Sequence, residues 1–340
     1  MYRRLGLMAL LVLVTFATAA QSRSVHAHET DSTASLCTGQ PQGAACSLVT
    51  KAVVAELPAP PAILALVRMT INPGVQFTDL SVPGPTVLLV ETGTLTVDMS
   101  GETDEDEQLE QLEGFVERAP ANGTPTPSSG PVQIASVGIF RITLQAGDRL
   151  LIPSDWPHAM RNDTGTPISI LAAAVTPPEP ATGGPAWPPA GAWPPGLPDG
   201  VKVRSLDAGY RAVTDLPRTD ATEILVERVT LQSGTSLALG PGAPHLLTVE
   251  NGVLSVQCAA ACPARHKGST STVPASPSPV ATGADGGTVT LASGESVLIP
   301  DAVQATISTG AGSETGPVSL ISLTVAPSNE DPGRQGEHAD

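Results

Sequence analysis

Three short apolar blocks, each containing turn residues, occur twice in this 340-residue chain and in the same order. Val67–Gly74 (VRMTINPG) matches Glu227–Gly234 (ERVTLQSG), and Val90–Val97 (VETGTLTV) matches Val249–Val256 (VENGVLSV). Thr143–Pro153 (TLQAGDRLLIP) matches Thr290–Pro300 (TLASGESVLIP). Each block has the length of a strand or hairpin and carries Gly, Pro, Asn or Asp where a turn is needed. Their repetition predicts two homologous all-β units rather than one larger domain.

Within the first unit, Gly147–Asn162 (GDRLLIPSDWPHAMRN) reads as strand, tight turn, strand. The apolar run Leu150–Ile152 is bounded by Gly147-Asp148 before it and Pro153-Ser154-Asp155 after it. Two-residue alternation then puts His158, Met160 and Asn162 on one face of the following strand. Between the two units, residues 176–200 are rich in proline, glycine and tryptophan. Proline lacks an N–H donor and fixes φ, so this stretch cannot enter a sheet interior and reads as a semi-rigid linker.

The expected organisation follows. Residues 1–20 form a cleaved export signal, with a basic start, an apolar stretch Leu7–Phe16 and small residues at Ala17–Ala20; an uncleaved anchor is the alternative. Residues 21–46 are an N-terminal extension, 47–175 the first β-barrel, 176–200 the linker, 201–326 the second β-barrel and 327–340 a polar tail. Each unit carries a polar insertion after its Gly93 or Gly252 hairpin, expected to be a solvated loop or short surface helix in the first copy. Asn122 and Asn162 open glycosylation sequons.

Four cysteines agree with export, and the simplest of three connectivities pairs Cys37 with Cys46 and Cys258 with Cys262. A metal site using Cys258, Cys262 and His266 is the rival reading, with weak spacing. A net charge of −16 excludes nucleic acid, whose phosphates need a basic surface, and disfavours an anionic membrane. No G-x-S-x-G elbow, phosphate-binding glycine loop or H-E-x-x-H helix is present.

The spacing G-x5-P-x4-H-x3-N in Gly147–Asn162 resembles the second conserved motif of the cupin superfamily, with Asp155 where that family usually has glycine. The duplication extends the resemblance to both units and implies a bicupin: two tandem jelly-roll barrels in one chain. It also implies a metal held by two histidines and a glutamate of a first motif plus the second-motif histidine, in an oxidase, decarboxylase or dioxygenase. Registered back from Gly93, the first-motif positions hold Leu80, Val82 and Thr86. Registered from Gly252 they hold Leu239, Pro241 and His245, and Ala305 and Thr309 replace the second-motif histidine and asparagine. His158 is the single family ligand that survives. Asp79 and Glu91 are the nearest carboxylates on those strands. Glu91 alternates out of phase with Thr86, Leu88 and Val90, and Asp79 with Leu80 and Val82 if that strand has no bulge, so both are expected to face away from the barrel interior.

His158 and His245 are therefore read either as core residues satisfied by one hydrogen bond or as polar anchors in apolar pockets, with Thr86 and Met160 beside His158. The expected protein is a non-catalytic exported module without cofactor, binding a small molecule or serving as an interaction surface, with a homodimer open. A divalent-metal enzyme with non-standard ligands is the alternative.

Overall fold

The computed structural model describes residues 34–39, 41–100, 115–118, 133–136, 138–177, 198–206, 212–214, 216–217, 219, 221–259, 266–267, 287–310 and 316–328. All regular structure among them is β, and Asp31–Asp340 forms one compact unit. The expected signal, both linker tryptophans, most of both insertions, Asn122, Cys262 and the tail from residue 329 lie outside the described residues.

The first half of the chain supplies β1 (Ala44–Val54), β2 (Ala62–Ile71), β3 (Gln76–Leu80), β4 (Thr86–Thr92) and β5 (Thr94–Ser100). It continues with β6 (Val116–Glu117), β7 (Gln133–Ser136), β8 (Ile139–Gln145), β9 (Arg149–Ile152), β10 (His158–Arg161) and β11 (Ile168–Thr176). The second half supplies β12 (Val201–Ser205), β13 (Ala212–Val213), β14 (Thr222–Leu231), β15 (Ser236–Leu239), β16 (His245–Asn251) and β17 (Val253–Cys258). It ends with β18 (His266–Lys267), β19 (Thr288–Ala292), β20 (Glu295–Ile299), β21 (Ala305–Thr309) and β22 (Val318–Pro327).

Each barrel consists of two antiparallel sheets. In the first, the order β12-β2-β11-β4-β9-β6 faces β3-β10-β5-β8-β7; in the second, β1-β14-β22-β16-β20-β18 faces β15-β21-β17-β19. The two orders correspond strand for strand, β2 to β14, β4 to β16, β11 to β22, as the repeated blocks require. Two cupin-type jelly-roll barrels are the fold.

The sheets cross the boundaries expected at residues 47 and 201. β1 pairs with β14 of the second barrel from Ala44↔Leu231 to Val54↔Thr222. Reciprocally, β12 and β13 pair with β2 of the first. β1 thus completes the second barrel, and β12 and β13 the first. The exchange covers an outer strand of each large sheet, β2 and β14, which would otherwise present unpaired N–H and C=O groups.

Burial explains why the central strands read as continuous apolar runs rather than alternating ones. On β2, Ala65, Val67, Met69 and Ile71 point into the first barrel, whereas Ala62, Leu64 and Leu66 join a core between the barrels. On β14, Val229 and Leu231 face the second barrel and Ile224 and Val226 face the same shared core; on β22, Leu320 opposes Ile321, Leu323 and Val325. The large sheets pack back to back and are buried on both faces. Each fully buried Leu, Ile or Val contributes about 1.5–3 kcal/mol, so the barrels are joined by a true hydrophobic core.

The described part of the first insertion includes a short strand, Val116 and Glu117 pairing with Leu150 and Arg149. Phe115 meets Trp156 edge to face at 5.9 Å, and Arg118 bonds Asp148 at 2.8 Å with both side chains largely buried.

Candidate functional site: two barrel interiors

The segment Gly147–Asn162 folds as β9, a turn and β10. Asp155, in the family's glycine position, takes the left-handed conformation that glycine usually provides, with φ of 58°. Its N–H donates to Val82 O at 2.7 Å, tying the turn to the first-motif segment. The alternation is as expected: His158, Met160 and Asn162 are all buried. Asn162 is consumed structurally. Its amide donates to Ile71 O and Thr166 O at 3.0 and 2.8 Å, and its carbonyl accepts from Thr164. In the folded protein that sequon offers no free acceptor.

Strand register tests the motif alignment directly. His158 on β10 is the cross-strand partner of Leu80 on β3, and in the second copy Ala305 on β21 is the partner of Leu239 on β15. The first-motif and second-motif positions are thus brought face to face in both barrels. What they hold is a histidine against leucine in one, and alanine against leucine in the other.

His158 is 3% exposed, and its Nδ1 lies 2.9 Å from Trp156 O. A carbonyl can only accept, so Nδ1 carries the proton and Nε2 is the neutral ring's acceptor. Burial lowers the His158 pKa from its ordinary value, with the bond to Trp156 O opposing. Thr86 lies on the inward face of β4 with Leu88 and Val90, and its Oγ1 is 3.4 Å from Gly84 O. Among the described residues no hydrogen bond links His158, Thr86 and Met160; they share an apolar core.

His245 lies in the other barrel, in phase with Leu247 and Val249 on β16. It is 2% exposed, and burial lowers its pKa to about 4, so it is neutral at pH 7. Its Nδ1 is 2.8 Å from Thr324 Oγ1, which lies 3.3 Å from Ser322 Oγ. The four residues expected to bind a ligand therefore divide between two interiors.

The sequence reading missed the polar wall around His245. Glu227, Ser322 and Thr324 also face the second interior, by phase with Val229 and Leu320. A charge in the apolar run TEILVERV, in step with Val229, was the available signal.

The donor sets do not fit a transition metal. Leucine, valine and threonine flank His158, and leucine, proline and alanine flank His245 at the corresponding positions. Among the described residues, the sulfurs of Cys37 and Cys46 and a carboxylate oxygen of Glu227 converge within 4.8 Å. Those sulfurs are joined in the expected disulfide and supply no thiolates. Cys258 is disulfide-bonded as well, and its expected partner Cys262 lies outside the described residues.

A groove of about 430 Å³ lies where the β1–β2 and β13–β14 connections meet, lined among others by Leu57, Pro58, Pro60, Leu216 and Pro217. Neither histidine lines it. No described helix is long and apolar enough to cross a membrane.

No family model and no curated protein matches the chain. Solved structures similar to it include an oxalate decarboxylase from Lactobacillus farciminis in a formate complex, at 12% identity, covering 78% of each chain with a TM-score of 0.40. Vicilin from hazelnut, Corylus avellana, is 12% identical over 80% of this chain and 83% of its own, with a TM-score of 0.38. A cupin 2 conserved barrel domain protein from Leptotrichia buccalis is 12% identical over 82% of this chain and 90% of its own, with a TM-score of 0.30. The likeness is one of fold alone; the cupin-type architecture of this chain stands on its own strand order and on the register of its motifs.

Proposed function

We propose that the protein is a non-catalytic, exported bicupin that works without a transition metal, as a small-molecule binding or interaction module. The observation that carries this reading is the pair of cross-strand partners His158–Leu80 and Ala305–Leu239. A metal site at those positions needs imidazole and carboxylate donors converging within bonding distance, and aliphatic side chains supply none. Neutral imidazoles set in apolar interiors instead match the composition of small-molecule sites, where a few polar groups orient a mostly apolar ligand. The Cys37–Cys46 disulfide and the N-terminal signal pattern support export.

Metal analysis of untagged protein, reconstituted with manganese, iron, zinc or nickel and then dialysed, tests the reading. It predicts no stoichiometric metal. Retention of about one equivalent in the first barrel, lost on His158→Ala, would favour the alternative, a metal-dependent enzyme with non-standard ligands.

A further inference from the structure

Glu227 is 0% exposed on the inward face of the second barrel, and its counterpart in the first copy is buried Val67. A carboxylate so placed persists only with dedicated donors. Among the described residues, its hydrogen bonds come from one short segment. Ser35 Oγ donates at 2.5 Å, and the N–H groups of Leu36 and Cys37 donate at 3.0 and 3.2 Å. The Leu36 side chain packs among Val229, Leu247 and Leu320 of the barrel core. The segment is fastened at its far end by Cys37–Cys46, where Cys46 on β1 lies opposite Val229.

Residues 35–37 thus sit on the second barrel as a bound peptide would. A hydroxyl and two main-chain donors meet one carboxylate, and one leucine fills an apolar site. The wall beside it continues through Ser322, directly across from Glu227, to Thr324 and His245 one pair further along. We propose that this wall is a binding site for a leucine-bearing peptide segment, occupied in this chain by its own Ser35–Cys37 and kept occupied by the Cys37–Cys46 disulfide.

The disulfide makes the occupancy reversible by redox chemistry. A dithiol reductant supplies two electrons and two protons: the Sγ–Sγ bond breaks, Cys37 and Cys46 become thiols, and the reductant closes its own disulfide. The segment then keeps only non-covalent contacts, among them the bonds to Glu227 and the packing of Leu36, and an external peptide of the same chemistry competes for the site. This rests on Glu227 and its partners, not on the metal-ligand positions, so it can fail independently of the proposed function.

The test uses the full chain and its Cys37→Ser/Cys46→Ser variant, with hydrogen exchange read at residues 34–39, β14 and β22. The probe is a labelled peptide of residues 33–39 with serine at position 37, TASLSTG. In the variant, exchange protection at positions 36 and 37 should fall by at least about tenfold while β14 and β22 stay protected. The peptide should bind the variant but not the oxidised parent, and Glu227→Gln in the variant should weaken it by about tenfold or more. Three results would overturn the proposal: a segment that stays protected without its disulfide, strands that lose protection together with it, or an opened segment with no peptide bound.

Discussion

Arg68 of the first copy and Glu250 of the second are bonded at 2.8 Å across the boundary between the barrels. The reciprocal pair, Arg228 to Glu91, lies at 3.1 Å. Each arginine also grips the glutamate of its own copy: Arg68 donates twice to Glu91 at 2.6 Å, and Arg228 donates to Glu250 at 2.9 and 3.4 Å. Ser169 and Ser319, again equivalent positions, add bonds to Glu91 and Glu250. The duplication thus closes on itself in a four-membered ion cluster, and Glu91 faces away from the barrel interior as its strand phase required.

Removing one arginine leaves two partly buried carboxylates sharing a single cation. Arg68→Met is expected to lower stability by about 1–3 kcal/mol, between the values for exposed and buried pairs, since these side chains are partly solvated. Urea unfolding of Arg68→Met, Glu250→Gln and the double variant measures the coupling. A double variant whose loss is the plain sum of the singles would show that the two residues do not interact.

The same cluster sets part of the acid sensitivity. Burial is the largest single influence on Glu91 and Glu250 and would raise both pKa values, but the hydrogen bonds and positive charges of Arg68 and Arg228, with a bond from Ser169 at Glu91, together outweigh it and both end below the ordinary 4.5. A carboxylate depressed on folding contributes stability that is present above its unfolded pKa and lost as pH falls through the folded one. Stability should therefore decline below about pH 4.5, and the Glu91→Gln/Glu250→Gln protein should show a shallower decline in that range when unfolding is followed against pH.

His245 acts at higher pH. Its folded pKa of about 4 lies below the ordinary 6.5, so the unfolded chain takes up the proton first. Stability from this group is complete above pH 6.5 and drains away as pH falls from 6.5 towards 4. At about 1.4 kcal/mol per pKa unit the loss is of order 3 kcal/mol. His245→Gln keeps a hydrogen-bonding group for Thr324 without the ionisation. The stability difference between parent and variant should narrow by that order across this window; a constant difference would contradict the burial-driven shift.

Asp155 occupies a left-handed position at φ 58°. A β-carbon is disfavoured there by about 1–2 kcal/mol, less for aspartate, whose side chain hydrogen-bonds locally. Asp155→Gly should leave stability unchanged or slightly raised, and Asp155→Ala should cost about 1 kcal/mol relative to glycine. Equal melting temperatures for the glycine and alanine variants would show that the turn relaxes.

Much of this architecture is written in the chain because turn chemistry and two-residue periodicity are local. The three repeated blocks give both barrels, and the spacing from Gly93 back to Leu80 and forward to His158 gives the partners that register places opposite each other. The exchange of β1 and β12 was not legible. A strand's propensity says that it will pair, not which edge it will reach, and that choice depends on where the short β1–β2 connection leaves the chain. The inter-barrel core was hidden for a related reason: a run such as AILALV fits a filled barrel as well as a sheet buried on both faces. Thr324 as the partner of His245 lies 79 residues away, a distance no local pattern bridges.

The imidazole nitrogen NMR spectrum of His158 and His245, before and after excess zinc, tests most directly whether the two buried histidines stand in their barrels without a metal. The account predicts neutral rings at pH 7, with the His158 proton on Nδ1 towards Trp156 O, and unchanged shifts at both residues when zinc is added. Movement of the His158 Nε2 resonance to a metal-bound position would contradict it and restore the first barrel as a metal site.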